Sequence, residues 1–203
     1  RWPQRRHQRR QGLAARPHGE TAVIVRVLSE EYGLVAGYVA GGRGRVLRPV
    51  VIPGNRVAVE LAAKSDSQLP FLRLELVESR GPWLGEPLAA SAIAWVTTLT
   101  ALVLPERNAY ASLYSALGAT LDAICHAPSA RGWLRALVGY ESLLLRELGY
   151  GGAAPPAEAD LDALLQMFAR TAAPLERYLL VDRKGDGMAL RAMLGERLEK
   201  LRA

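Results

Sequence analysis

Between Glu20 and Ser79 apolar and polar positions alternate with a period of two, and many of the apolar ones are β-branched, the pattern of half-buried strands. TAVIVRVLSEEYG sets Val23, Val25 and Val27 on one face and ends in a polar turn at Gly33. LVAGYVAGG gives a second strand. NRVAVELAAKS alternates Val57, Val59 and Leu61 against Arg56, Ala58 and Glu60, and FLRLELVES alternates Leu72, Leu74 and Leu76 against Phe71, Arg73 and Glu75. With a weak leading strand around QGLAARPHGE, these make about five short strands with no helical pattern between them, the strand count of a small OB-type barrel.

The stretch SRGPWLGEP breaks this pattern with Gly81, Pro82, Gly85 and Pro87, and beyond it the apolar period becomes that of helices. Leu88–Leu104, LAASAIAWVTTLTALVL, carries no charge over 17 residues. It is short and only moderately apolar for a membrane span, so it reads as a buried helix that Pro105 ends. AYASLYSALGATLDAICHA spaces Tyr110, Leu113, Leu117, Leu121 and Ile124 along one face, and ARGWLRALVGYESLLLRELGYGG turns Trp133, Leu134, Leu137, Leu144 and Leu148 inward. ADLDALLQMFAR, PLERYLLV and MALRAMLGERLEKL complete a bundle of roughly six helices. The expected fold is therefore α+β and multi-domain: a five-stranded OB-fold barrel over 12–80, a linker over 81–87 and an all-α domain over 88–203.

Charge changes the picture only at one end. The net charge is +6, but residues 1–80 hold 14 Lys/Arg against 7 Asp/Glu while residues 81–203 hold 12 against 13. Much of the excess is the opening RWPQRRHQRR, which has no acid and no apolar face and is expected to be a basic, disordered tail over residues 1–11. No initiator Met precedes it, and a misassigned translation start remains an alternative origin. The single Cys125 leaves no internal disulfide framework and fits a reducing compartment.

Catalytic chemistry finds no foothold. His7, His18 and His126 are scattered, and Cys125 and His126 diverge by about 100° on a helix, so no metal site is expected. There is no G-x-S-x-G elbow. Glu141, Glu147, Asp160 and Asp162 read as solvated helix faces and caps, and Arg191 and Arg197 as surface charges of the last helix. DRKGDG lacks the spacing of a calcium loop. GYVAGGRG, Gly37–Gly44, approaches a P-loop, but Arg43 stands where Lys is needed, Gly44 where Ser or Thr is needed, and Pro49 and Pro53 oppose a following helix.

Nucleic acid fits better. An OB barrel binds single strands with a basic groove and exposed aromatics on which bases stack. Phe71 and Arg73 fall on the face opposite Leu72 and Leu74, and Arg26 and Arg56 occupy polar positions of their strands. Arg16, Arg43, Arg45, Arg48 and Lys64 extend the set to a backbone-binding surface. The same charges could instead be scattered solubilising groups.

Two strings carry a resemblance to a known family: RPHGETAVIVRVLSEEYGLVAGYVAGGRGR near the start and GWLRALVGYESLLLRELGYG in the helical part. Their order and spacing, from about residue 12 to 200, resemble the RecO family of bacterial recombination mediators. The resemblance implies a non-enzymatic cytoplasmic, nucleoid-associated DNA repair protein of the RecF pathway. It further implies binding of single- and double-stranded DNA, annealing of complementary strands, and engagement of RecR and of the C-terminal tail of the single-strand-binding protein, so that RecA is loaded. The family's basic loop falls on Gly42, Arg43, Gly44, Arg45 and Arg48. Many family members carry a four-Cys zinc loop after the Leu-Gly-Tyr helix; here GYGGAAPPAEADLDALL runs into the next helix without it, so neither metal nor cofactor is expected. An RNA-binding OB module of translation and a helical protein-interaction scaffold stay open as alternatives.

Overall fold

The computed structural model describes residues 8–202 apart from 64 and 66, so Lys64 and the part of the Arg-rich opening before Gln8 lie outside the described residues. Five strands, β1 (Gln8–His18), β2 (Ala22–Ser29), β3 (Gly33–Val39), β4 (Arg56–Ala62) and β5 (Phe71–Glu78), close into a barrel in the order β1-β2-β3-β5-β4. All neighbours are antiparallel except β3 and β5, which run parallel at Tyr38 and Phe71. This is the OB-fold barrel expected from the alternation. Its core is the inward set of Val23, Val25, Val27, Val35, Val39, Val57, Val59, Leu72 and Leu74. Each such side chain, moved from water to this interior, contributes about 1.5–3 kcal/mol. Leu76 departs from the pattern and is 42% exposed, on the stretch of β5 where the register against β4 shifts between Arg56 and Val57.

The leading strand is longer than its sequence suggests. β1 begins at Gln8, which corrects the tail boundary at residue 11, and it pairs with β2 from Gln11 to His18 and with β4 from Gln8 to Gln11. Backbone ladders on both edges make up for the missing apolar run. Arg10, counted in the basic tail, is opposite Val57 and therefore on the inner side, buried with its guanidinium 5.9 Å from the Tyr32 ring centroid. Burial holds its pKa below the usual arginine value, opposed by Tyr32 and Glu31.

The chain divides into two compact units, residues up to Gly85 together with Leu104–Tyr114, and Glu86–Val103 together with the residues from Ser115 onward. Leu104–Tyr114 thus counts with the barrel although it lies inside the stretch expected to be helical domain. In the second unit α1 (Pro87–Val103) is the uncharged segment, with Ile93, Trp95, Val96 and Leu99 fully buried. Its buried Thr97 and Thr100 hydroxyls donate to the carbonyls of Ile93 and Val96, so neither is left unsatisfied. No helix among the described residues is long and apolar enough to cross a membrane. α2 (Ala111–His126) and α3 (Ala130–Glu147) bury the predicted faces, including Leu117, Leu121, Trp133, Leu137 and Leu144. α4 (Leu161–Pro174) is capped by Asp160, whose carboxylate accepts from the Ala163 amide. The expected break before PLERYLLV does not occur. Pro174 is absorbed in the last turn of α4, and Leu175–Leu180 continues as a wider π turn, the geometry that relieves a missing amide donor. α5 (Gly187–Glu199) packs on α1.

Glu141 and Arg191 overturn their surface reading. Glu141 on α3 is fully buried and accepts from Trp95 Nε1 at 2.7 Å, from Arg191 Nε at 3.0 Å and from Arg191 Nη2 at 2.8 Å. Arg191 also donates to the Phe168 carbonyl and lies 3.7 Å from the Phe168 ring centroid. One buried ion pair thus ties α1, α3, α4 and α5 together. Removing one charge strands the other, so Glu141→Ala should cost about 3–5 kcal/mol, seen as a fall in the urea-unfolding midpoint. Glu141→Leu combined with Arg191→Met should cost much less, and equal losses would show that the unpaired charge is not the source of the penalty.

Candidate nucleic-acid interface

Residues paired across a sheet share a face, and on the outer face of the barrel this produces a continuous row. Arg16 stands opposite Ile24, Ile24 opposite Tyr38, and Tyr38 opposite Phe71. The aromatic rings pack edge to face: Tyr38 and Phe71 at 5.2 Å between centroids and 73°, His18 and Tyr38 at 5.8 Å and 87°. Phe71 keeps 53% of its surface exposed. Sequence reasoning weighed His18 only as a metal ligand and passed over Tyr38, although Tyr38 lies within GYVAGGRG, where the alternation with Val39 marks it as outward. Arg73, two residues beyond Phe71 on the same face, is exposed.

The next row joins Ala14, Arg26 and Ala36. Between the rows lies a groove of about 510 Å³, with the small side chains of Ala14 and Ala36 in its lining and Arg16, Arg26, Leu69 and Glu106 at its sides. Arg26 Nη2 donates to Glu106 Oε1 at 3.0 Å, with both side chains partly exposed. Such a pair is worth about 0–1 kcal/mol. Arg56 is also paired, with Glu78 at 3.1 Å. Arg26 and Arg56 are therefore partly neutralised, which the alternation along their strands could not reveal.

The glycine-rich loop after β3 is tied down. The Arg43 amide donates to the Thr21 carbonyl at 3.0 Å, Gly44 to Gly41 at 2.9 Å and Arg48 to Gly44 at 2.9 Å. Arg43 Nη1 reaches the Gly19 carbonyl and Arg48 Nη2 the Arg43 carbonyl. One backbone bond, Arg43 to Thr21, and the Arg43 side chain fasten it to the β1–β2 turn, while the other two bonds close turns within the loop. Arg43 and Arg48 each spend one of five guanidinium donors on these carbonyls, which cancel no charge, and Arg43, Arg45 and Arg48 are all exposed. Because His18 ends β1 and Gly19–Thr21 is the turn that follows it, the basic loop and the aromatic row meet at one end of the barrel. No α-helix follows the loop, and the next element is β4, which removes the P-loop reading. Asn55 fixes the far side of the loop: it is fully buried, its amide donates to the Pro49 carbonyl at 2.8 Å, and its side-chain oxygen accepts from the Arg80 amide. Among the described residues no group of three or more His, Cys, Asp or Glu is placed to hold a metal ion.

Glu106 belongs to the segment between α1 and α2. Leu34 and Glu106 form a parallel bridge, and the Arg107 amide donates to the Leu34 carbonyl at 2.9 Å. At Gly33, φ is +69° and a Cβ would lie 1.9 Å from the Asn108 carbonyl oxygen, so only glycine lets the segment seat here.

The barrel, with its order β1-β2-β3-β5-β4 and a helical unit after it, places the chain in the class of OB-fold proteins with an appended α-helical domain. Comparison with known proteins narrows this. Residues 12–80 match the family model for the recombination protein O N terminal domain and residues 85–153 that for the recombination protein O C terminal domain. The curated DNA repair protein RecO of Rhodospirillum centenum is 40% identical over 140 residues, 68% of this chain and 54% of that protein. Those of Paracoccus denitrificans and Rhodospirillum rubrum are 37% and 39% identical, again over 68% of this chain and 56% of each relative. The chain belongs to the RecO family of DNA repair proteins. It spans about half the length of the curated relatives it matches, and the family models stop at residue 153, short of the extent to about residue 200 over which the sequence resemblance runs.

The close approach at Gly33 gives a direct test of the geometry. Gly33→Ala should lower stability by upward of about 2 kcal/mol in a thermal melt. Gly19→Ala, where φ is +62° but nothing lies within 4 Å, should cost roughly half that. Equal effects would mean that backbone conformation alone, and not the seat of Asn108, matters.

Proposed function

We propose that this chain acts as a DNA repair and recombination mediator, binding single strands on the outer face of its barrel and annealing complementary strands. The observation that carries the reading is the row Arg16–Ile24–Tyr38–Phe71, flanked by His18 and joined to the loop of Arg43, Arg45 and Arg48. Exposed ring surface beside exposed guanidinium groups is what a single strand requires, since bases stack on the rings while the cations follow the phosphates. Double-stranded DNA is then a partner through its phosphates, held by the loop arginines. By family membership we extend the proposal to RecR, to the C-terminal tail of the single-strand-binding protein, and through them to RecA loading in the RecF pathway.

Annealing of complementary oligonucleotides coated with the cognate single-strand-binding protein tests the mediator role. A folded protein that leaves them unannealed ends it. Phe71→Ala should weaken binding of a single-stranded oligonucleotide on the order of tenfold, one stacked base being worth about 1–3 kcal/mol. Arg43→Glu with Arg45→Glu should weaken it further and flatten its salt dependence, whereas Arg170→Glu with Arg183→Glu, exposed on the helical unit, should have much less effect. Arg191 is unsuited as a control because it is buried. Equal losses from the two pairs would place binding elsewhere. Stronger competition by RNA than by DNA of the same sequence would favour the translation module.

A further inference from the structure

The Arg26–Glu106 pair lies inside the groove that the nucleic-acid reading assigns to a strand. Its carboxylate is not brought there by the sheet. Glu106 comes from the Leu104–Tyr114 segment, and three features fix its position: the bridge to Leu34, the Arg107 amide bond to the Leu34 carbonyl, and the close seat of Asn108 on Gly33. Arg107 itself has φ of 60°, the one non-glycine residue with positive φ among those described. A strained, glycine-dependent backbone is thus used to hold one carboxylate against one arginine on an open surface. As a source of stability such an exposed pair is weak, so its value lies in what it does to the groove.

Guanidinium groups bind carboxylate and phosphate in the same forked geometry. Arg26 stands one outward position from Ile24, which lies in the row between Arg16 and Tyr38, so a strand stacked on that row passes within reach of it. We propose that Arg26 is a phosphate subsite for single-stranded nucleic acid, and that Glu106 occupies it in the free protein as a built-in competitor that the strand must displace. This rests on the nucleic-acid reading above. The consequence is a tuned grip: the strand is held by the rings and the basic loop, while the groove arginine engages only at the cost of releasing Glu106. A surface that must let a strand go to its complement gains from that restraint.

The test uses the full chain and a labelled oligothymidylate, with dissociation constants measured across a salt series for the wild type, Glu106→Gln, Arg26→Gln and the double variant. Glu106→Gln should tighten binding roughly two- to fivefold at low salt and steepen the log–log salt dependence by about 0.7, the contribution of one additional phosphate contact on a single strand. Arg26→Gln should be nearly silent alone yet abolish the gain made by Glu106→Gln. Glu147→Gln, which removes the same charge from an exposed position on α3, should change neither quantity appreciably. The subsite is overturned if Glu106→Gln leaves affinity and slope unchanged while Phe71→Ala still weakens binding. It is equally overturned if Arg26→Gln costs the same in both backgrounds, or if Glu147→Gln reproduces the gain. A wild-type protein with no salt-dependent binding would remove the nucleic-acid reading itself, an outcome distinct from these.

Discussion

Everything on the outer face of the barrel depends on β1 being bonded along both edges. It pairs with β2 on one side and with β4 on the other, and without it the sheet would be an open ribbon with two free edges. Closure positions Arg16 at the head of the aromatic row and carries His18 to the turn on which the basic loop is fastened. It also directs Arg10 inward, where the pleat leaves no alternative to burial. Because ladder hydrogen bonds are made by the backbone, this strand tolerates a sequence, QRRQGLAARPH, that alternation would not select.

That explains which parts were legible in the residues. β2, β4 and β5 bury a regular inward set, so Val23, Val25, Val57, Val59, Leu72 and Leu74 announce themselves. The helical faces of α2 and α3 do the same. Pro105 signals the end of α1 but not that the next residues return to the barrel, because a single backbone bridge and the small size of Gly33 have no periodic trace. Glu141 and Arg191 were hidden for a different reason. Charge on a helix is ordinarily solvated, and each is buried only because the other, fifty positions away, arrives on another helix. In the candidate site Phe71 and the loop arginines were readable from strand parity and composition. The partners of Arg26, and the meeting of His18 with Tyr38, required the fold.

Counting arginines therefore overstates some positions and understates others. Arg26 and Arg56 face carboxylates, and Arg80 and Arg10 are buried at the barrel. Arg43 and Arg48 also have partners, but those partners are carbonyl groups. The distinction is electrostatic. A carboxylate cancels the charge it binds, whereas a carbonyl orients the guanidinium and leaves its full positive charge facing solvent. The uncancelled charges of Arg43 and Arg48 thus lie where the loop meets the β1–β2 turn, near His18 and Tyr38 and offset in part by the exposed Glu20 of that turn, whereas Arg56 on β4 faces a carboxylate. On the proposed function, a polyanion would meet first the end of the barrel that carries the rings and the loop string GYVAGGRG, because Arg43 and Arg48 there have carbonyl rather than carboxylate partners.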